Sequence, residues 1–114
     1  MSEQWVTVTE RDGTAVVRLV GEIDLTNASE VGQSIARGCG AAPAVLIDLT
    51  AVSFLDSSGV RVLDTLVGEF DSHGVRTRLV VGESGVARMT LQLCAFRDDL
   101  LAIDVEQAAA ELRG

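Results

Sequence analysis

The chain has 114 residues and a formal net charge of −8 at pH 7, and arginine supplies every basic side chain because lysine is absent. This length predicts one domain, residues 1–114, that can bury its own core. The acidic balance argues against binding to nucleic acid and to anionic membrane surfaces, both of which attract basic patches. A protein partner or a small ligand is more consistent with this charge.

The two cysteines, Cys39 and Cys94, lie far apart in the sequence and form no Cys-x-x-Cys pair. The first residues lack the pattern of a secretory signal, and no apolar run approaches the roughly 20 residues that cross a bilayer. We therefore expect a cytoplasmic protein without membrane insertion. We interpret each cysteine as a small core residue.

The first predicted elements form a hairpin. Apolar and polar residues alternate over Trp5–Thr9, an Asp12-Gly13 pair follows, and Ala15–Val20 gives a second strand pattern. An Asp-Gly pair between two such strands is typical of a tight hairpin turn. We expect Gly21 to interrupt the second strand.

The first helix is predicted to begin after Thr26 or Asn27, since either can cap it. Asn27 and Glu30 have the spacing of a capping box. The apolar positions recur on one face of the helix and are Ala28, Val31, Ile35 and Cys39. The helix is expected to end near Gly38.

The middle of the chain predicts a buried strand, a loop and an amphipathic helix. Ala44–Leu49 is apolar except at Asp48 and too short for a typical helix, so it indicates an interior strand. Apolar residues at helical spacing follow Gly59, namely Val60, Leu63, Leu66, Val67 and Phe70. Asp56 or Ser57 could cap this helix, and the small Ser58-Gly59 pair fits a loop close to another backbone.

The last third continues the alternation. Arg76–Val81 and Leu100–Ile103 are predicted strands, and Ser84 is expected to cap a helix between them that carries Val86, Met89 and Leu93. The final helix, starting at Asp104 with the capping-box partner Gln107, presents apolar residues at Val105, Ala108, Ala109 and Leu112. The order predicts an α/β domain with about four helices and a mixed sheet, in which the strands after the hairpin are parallel.

The sequence provides no self-contained active site. The only histidine, His73, lies in a Ser-His-Gly turn at a predicted helix end, where positive charge is favourable. Ser84 follows a Gly-x-Ser pattern but lacks the second glycine of a nucleophile elbow and an obvious base. The phosphate-loop motif and metal-ligand spacings are also absent. We therefore predict no catalytic residues, no metal and no cofactor, and keep a serine hydrolase using Ser57 or Ser84 as a remote alternative.

Three segments together resemble the STAS domain: Gly21-Glu22-Ile23-Asp24 after a strand, Ile47-Asp48-Leu49 in the next, and Phe54-Leu55-Asp56-Ser57-Ser58-Gly59-Val60. More narrowly, the chain is similar to bacterial anti-sigma factor antagonists from about Val6 to Leu112. The resemblance implies a non-catalytic protein with a serine that a partner phosphorylates. The serine directly after the aspartate is Ser57, with Ser58 as the less favoured alternative.

The resemblance also implies the partners. One is an anti-sigma factor that is both an ATP-dependent serine kinase and a binder of a sigma factor. The unphosphorylated antagonist occupies this partner and frees the sigma factor, phosphorylation ends the association, and a serine phosphatase restores it. An alternative is a STAS docking subunit of a lipid-transport or sensory complex that is not phosphorylated.

The binding face that the resemblance implies combines the loop before the first helix with the start of the second. It comprises Asp24, Thr26, Asn27, Asp56, Ser57, Ser58, Gly59, Arg61 and Asp64. Where relatives often have Leu-Gly after the motif, this chain has Val60-Arg61, which puts a long cation beside the predicted phosphorylation site.

Overall fold

The computed structural model describes residues 5–113, and five strands and four α-helices alternate along this part of the chain. In chain order they are β1 (Val6–Arg11), β2 (Thr14–Ile23), α1 (Ala28–Cys39), β3 (Ala44–Leu55), α2 (Ser57–Ser72), β4 (Arg76–Val80), α3 (Val86–Leu93), β5 (Leu101–Ala102) and α4 (Val105–Arg113). A single 3₁₀ turn at Asp98–Leu100 precedes β5.

The strands form one mixed sheet in the order β1-β2-β3-β4-β5. β1 and β2 are antiparallel, and the two central residues of their turn, Asp12 and Gly13, have φ values of 53° and 83°. Positive φ at both positions is what a two-residue hairpin turn requires. The pairs β2/β3, β3/β4 and β4/β5 are all parallel. The predicted fold class, with its N-terminal hairpin and parallel strands, is confirmed.

Helices cover both faces of the sheet. On one face Ile35 of α1, Leu63 of α2 and Leu91 of α3 share a buried cluster with Ile47. On the other face Leu112 and Ala108 of α4 pack with residues that include Leu46 and Val80. The β3 segment Ala44–Leu49 is buried at every position, which explains its nearly continuous apolar sequence.

Two strands run further than predicted. β2 does not stop at Gly21 but continues to Ile23, and β3 continues beyond Leu49 to Leu55, which is paired with Ile23. The pairing shifts register between Arg18 and Val20 and again after Gly21, and Gly21 has a φ of 90°. These irregularities absorb the extra residues of β3, so the predicted interruption is a bulge within a longer strand pair.

The prediction for α3 named the wrong N-cap residue and did not name the residues that the helix buries. Gly85, with a φ of 119°, and not Ser84, occupies the N-cap position, and the helix has no side-chain cap. Ala87 and Leu91, one turn apart, are the buried residues of this helix. The apolar residues predicted on it are all exposed, and they are Val86, Met89 and Leu93. An eight-residue helix buries only a narrow stripe, and its starting residue decides which stripe that is.

The two cysteines differ in their environments. Cys39 at the end of α1 is buried, as predicted, and burial raises the pKa of its thiol to about 11. Cys94 directly follows α3 and is exposed. The prediction that both cysteines are core residues is therefore wrong for Cys94.

Candidate functional site at the carboxyl ends of β2 and β3

Two loops start side by side where β2 and β3 end. Ile23 and Leu55 are the last paired residues of the two strands. The next residue of the second loop, Asp56, donates its backbone N–H to the carbonyl oxygen of Ile23 over 3.3 Å. Parallel strands end at the same edge of a sheet, so the Asp24–Asn27 loop and the start of α2 form one corner of the molecule.

Asp56 caps α2. Its Oδ1 accepts hydrogen bonds from the backbone N–H groups of Ser58 at 2.9 Å and Gly59 at 3.2 Å. These two donors would otherwise lack a partner at the helix start. Of the two residues that the sequence offered as caps, Asp56 takes this role. Ser57 is consequently the first residue of the helix.

The two serines that follow differ in accessibility. Ser57 is exposed, whereas Ser58 is half-buried. Because the backbone of both residues is fixed by the cap and by the helix, the Ser57 hydroxyl is presented to solvent from a rigid position. An enzyme that modifies a hydroxyl at this corner would reach Ser57 more easily.

Gly59 holds the helix close to the two strand ends. A Cβ atom at this position would lie 2.5 Å from Cδ1 of Leu55 and 3.0 Å from Cγ2 of Ile23. The sequence predicted a close approach in a loop. The approach exists, but Gly59 lies in the first turn of α2, and its nearest neighbours are side chains.

Asn27 occupies the N-cap position of α1 without capping it. Its Oδ1 accepts a hydrogen bond from the backbone N–H of Asp24 at 2.9 Å, and its Nδ2 donates to the carbonyl oxygen of Glu22 at 2.8 Å. The side chain is buried, with 6% of the residue exposed. The predicted capping box with Glu30 is therefore wrong, because this amide is used to close the preceding loop.

Asp24 braces the same loop from outside. Its Oδ1 accepts hydrogen bonds from both the backbone N–H and the hydroxyl of Thr26. The hydroxyl of Thr26, followed by its N–H, lowers the pKa of the Asp24 carboxyl below its ordinary value. The loop thus carries a carboxylate whose charged form is favoured by its hydrogen bonds.

The surface around this corner is mostly acidic. Asp24 and Asp56 are half-buried, and Asp64 lies exposed further along α2. Arg61 is exposed one turn into the helix and lines an open groove between α1 and α2. The predicted site residues therefore form one surface except for Asn27 and Gly59, which are buried and shape it from below.

Two exposed apolar residues that were not predicted from the sequence lie beside the predicted site. Leu25, between Asp24 and Thr26, has 79% of its surface exposed, and Phe54, two residues before Asp56, is also exposed. A signal for Leu25 existed, since it is an apolar residue in the predicted loop before the first helix and lies outside any predicted helix or strand pattern. For Phe54 no signal existed, because the length of β3 was underestimated.

The only histidine of the chain lies far from this corner. His73 follows α2 at its opposite end, 16 residues after Ser57, which corresponds to about 24 Å along a helix. Its ring lies near the carbonyl oxygen of Glu69 and in solvent, as predicted for a helix-end residue. Among residues 5–113, no three histidine, cysteine or acidic side chains are grouped as metal ligands. None of the helices described here is both long and apolar enough to span a bilayer.

Two kinds of sequence comparison identify similar proteins. The family model of the STAS domain matches residues 6–110. The anti-sigma-F factor antagonist RsfB of Mycobacterium tuberculosis (strain H37Rv) is 42% identical over 59 residues, which is 51% of this chain and 48% of RsfB. The match therefore spans about half the length of this curated relative.

Solved structures match over almost the whole chain. The crystal structure of an anti-sigma factor antagonist from Mycobacterium paratuberculosis has a TM-score of 0.83 and 28% identity, covering 96% of this chain and 93% of the other. The anti-sigma factor antagonist SpoIIAA in its unphosphorylated form has a TM-score of 0.78 and 25% identity, covering 96% of both chains.

Proposed function

The chain belongs to the STAS domain family, and from this premise we propose that it is an anti-sigma factor antagonist regulated by phosphorylation of Ser57. In the proposed cycle the unphosphorylated protein binds an anti-sigma factor and thereby releases a sigma factor. The anti-sigma factor, acting as a serine kinase, phosphorylates Ser57 and ends the association, and a serine phosphatase reverses the modification. Since sigma factors act on RNA polymerase, the cycle takes place in the cytoplasm.

The observation that carries this proposal is the exposed hydroxyl of Ser57 at the start of α2. It follows directly after Asp56, whose carboxylate is bound to the first backbone N–H groups of the helix. A kinase can therefore approach Ser57 without unfolding the corner. The half-buried position of Ser58 supports the choice of Ser57 over its neighbour.

Phosphorylation changes the charge of this corner, and this change is not expected to unfold the corner. A phosphate adds about −1.5 to −2 charges at pH 7. At the first position of a helix it is tolerated by the positive end of the helix dipole and by the nearby Arg61. Toward a partner surface, however, it adds to the charges of Asp56 and Asp24. The fold is expected to persist while the interface becomes much more negative.

The size of the effect is sufficient for a switch. A net repulsion of roughly 1.4 to 3 kcal/mol weakens binding about 10- to 150-fold. This change can reverse occupancy when the antagonist and a sigma factor compete for the same anti-sigma factor. The proposed switch thus needs only a local change of charge.

The modification is tested with a purified anti-sigma factor kinase from the same organism and ATP. We expect the wild-type chain and the control Ser58→Ala to gain one phosphate by intact mass, and Ser57→Ala to gain none. Uptake by Ser57→Ala equal to wild type would refute the assignment. The same mass measurement on protein taken from cells tests whether the modification occurs there.

The consequence for binding is tested separately by calorimetry with the unphosphorylated chain. Ser57→Glu should bind the anti-sigma factor at least 10-fold more weakly than wild type, whereas Ser57→Ala should bind within a few-fold. A circular dichroism spectrum and melting temperature equal to wild type would confirm that Ser57→Glu is folded. Equal affinity of a folded Ser57→Glu would contradict the charge switch.

A further inference from the structure

Leu25 is an unusual residue on this surface. It lies at the tip of the Asp24–Asn27 loop with 79% of its surface exposed. It therefore contributes little to the core of its own domain. Exposed single apolar residues are common on protein surfaces, so exposure alone does not explain Leu25. Its exposure has to be considered together with the hydrogen bonds of its loop.

The loop that carries Leu25 is braced on both sides of the leucine. On one side the carboxylate of Asp24 accepts hydrogen bonds from the N–H and the hydroxyl of Thr26, bridging across Leu25. From below, the buried amide of Asn27 bonds to the backbone of Asp24 and of Glu22. The leucine thus stands on a backbone that is fixed before any partner arrives. Fixing a contact residue in advance reduces the entropy that binding must remove.

The position of the loop is tied to the proposed phosphorylation site. The hydrogen bond between Asp56 and Ile23 joins the strand ends that lead into Leu25 and Ser57. A partner that covers the Ser57 hydroxyl therefore meets the Leu25 loop in the same docking event. The surrounding charged side chains are mainly acidic, so such a partner is expected to be basic at its rim.

We propose that Leu25 is the apolar anchor of this interface and inserts into an apolar pocket, rimmed by basic side chains, on the anti-sigma factor. This inference rests on the proposed function and names an apolar residue that contributes to the affinity at the same corner. In this proposal Leu25 contributes apolar binding free energy, and the charge on Ser57 determines whether the complex persists. Binding energy at protein interfaces is commonly concentrated in a few residues of this kind, surrounded by contacts of small effect.

The test compares two leucines of almost equal exposure. Leu25→Ala should bind the anti-sigma factor about 10- to 100-fold more weakly than wild type, an anchor-sized effect. The control is Leu93→Ala, because Leu93 is 80% exposed but lies at the end of α3. It should bind within about twofold of wild type. Both variants should fold normally, since neither side chain is part of the core.

The rates of binding separate an apolar anchor from a charged contact. Leu25→Ala should raise the dissociation rate and leave the association rate and its salt dependence nearly unchanged. Asp64→Asn, which removes a charge on the same surface, should mainly lower the association rate at low salt. If Leu25→Ala changed association and salt dependence in the way that Asp64→Asn does, the anchor role would be wrong.

The failure of this inference can be distinguished from failure of the proposed function. If the wild-type chain does not bind the anti-sigma factor at all, the proposed function fails. If wild type binds and Leu25→Ala binds equally well, the function stands and the anchor is refuted. Equal losses for Leu25→Ala and Leu93→Ala would also refute it, since they would indicate a general apolar contribution.

Discussion

The starts of α1 and α2 are built from the same parts and work differently. Each follows the carboxyl end of one of the parallel-paired strands β2 and β3, and each has an aspartate or asparagine at its N-cap position. Asp56 has an extended backbone, with φ −108° and ψ −175°, and its side chain bonds forward into the helix. Asn27 has φ −127° and ψ −3°, and its side chain bonds back into the loop.

The difference shows how two similar side chains at the same helix position can stabilise either the helix or the loop before it. An extended backbone directs the side chain of the cap toward the next N–H groups, as at Asp56. At Asn27 the backbone does not, and the amide, which has both a donor and an acceptor, satisfies two loop groups instead. The result is a corner made of two hydrogen-bonded segments. The start of α2 exposes the hydroxyl of Ser57, and the Asp24–Asn27 loop exposes Leu25.

The largest effect on stability is expected at the residue that does not cap. Asn27→Ala removes a buried amide and leaves a backbone donor and a backbone acceptor without their partners, which should cost about 2 to 3 kcal/mol. Asp56→Ala removes a half-buried cap and should cost about 1 kcal/mol. Urea denaturation of both variants measures the two free energies of unfolding. A smaller cost for Asn27→Ala than for Asp56→Ala would show that the loop does not depend on the amide.

The second comparison uses two glycines of α2. Alanine is favoured over glycine within a helix by up to about 1 kcal/mol. Gly68→Ala should gain roughly 0.5 to 1 kcal/mol on this account, because no heavy atom lies within 4 Å of a Cβ at that exposed position. Gly59→Ala should instead lose about 1 kcal/mol, since the new methyl group meets Leu55 and Ile23. Thermal melting of the two variants tests this, and a stabilised Gly59→Ala would mean that α2 can move away from the strands.

Much of this architecture could be predicted from the sequence because the signals were local. The Asp-Gly turn, the apolar run Ala44–Leu49 and the helical spacing after Gly59 each involve only neighbours along the chain. The same holds at Asp104 and Gln107, where the Gln107 N–H donates to Asp104 Oδ1 and the Gln107 side chain accepts from the N–H of Ile103. Local patterns of this kind retain their meaning in the folded molecule.

The errors arose where tertiary structure decided between local alternatives. The bulges that extend β2 and β3 depend on pairing between strands about 30 residues apart in sequence. Asn27 has the spacing of a capping box with Glu30, but its amide is hydrogen-bonded to the backbone N–H of Asp24 and the backbone carbonyl oxygen of Glu22. The exposure of Leu25 could be suspected from its turn, whereas its rigid support could not, because hydrogen bonds between side chain and loop leave no periodic pattern.

The capping-box spacing is used differently at the start of α4 and at the start of α1, and this difference predicts a smaller effect. Gln107→Ala should destabilise the fold by about 0.5 to 1 kcal/mol, since it removes the side-chain oxygen that accepts a hydrogen bond from the N–H of Ile103, just before α4. Glu30→Ala at the matched spacing in α1 should change stability by less than about 0.5 kcal/mol. Chemical denaturation resolves this difference. Equal losses would show that Glu30 stabilises α1 in a way that its capping spacing alone does not explain.

The smallest effect is expected in the titration of Asp24. Thr26→Val removes the hydroxyl that lowers the pKa of this carboxyl most, so the pKa should rise toward the ordinary value of 3.8. A carboxyl whose pKa is lowered by folding stabilises the folded state above its unfolded pKa, and this contribution is lost as the pH falls through its folded pKa. The stability advantage of wild type over Thr26→Val that comes from this charge should therefore be present near neutral pH and disappear in strong acid. Carboxyl-carbon NMR of both proteins measures the pKa directly, and an unchanged value in Thr26→Val would mean that the backbone N–H of Thr26 is sufficient to brace the loop.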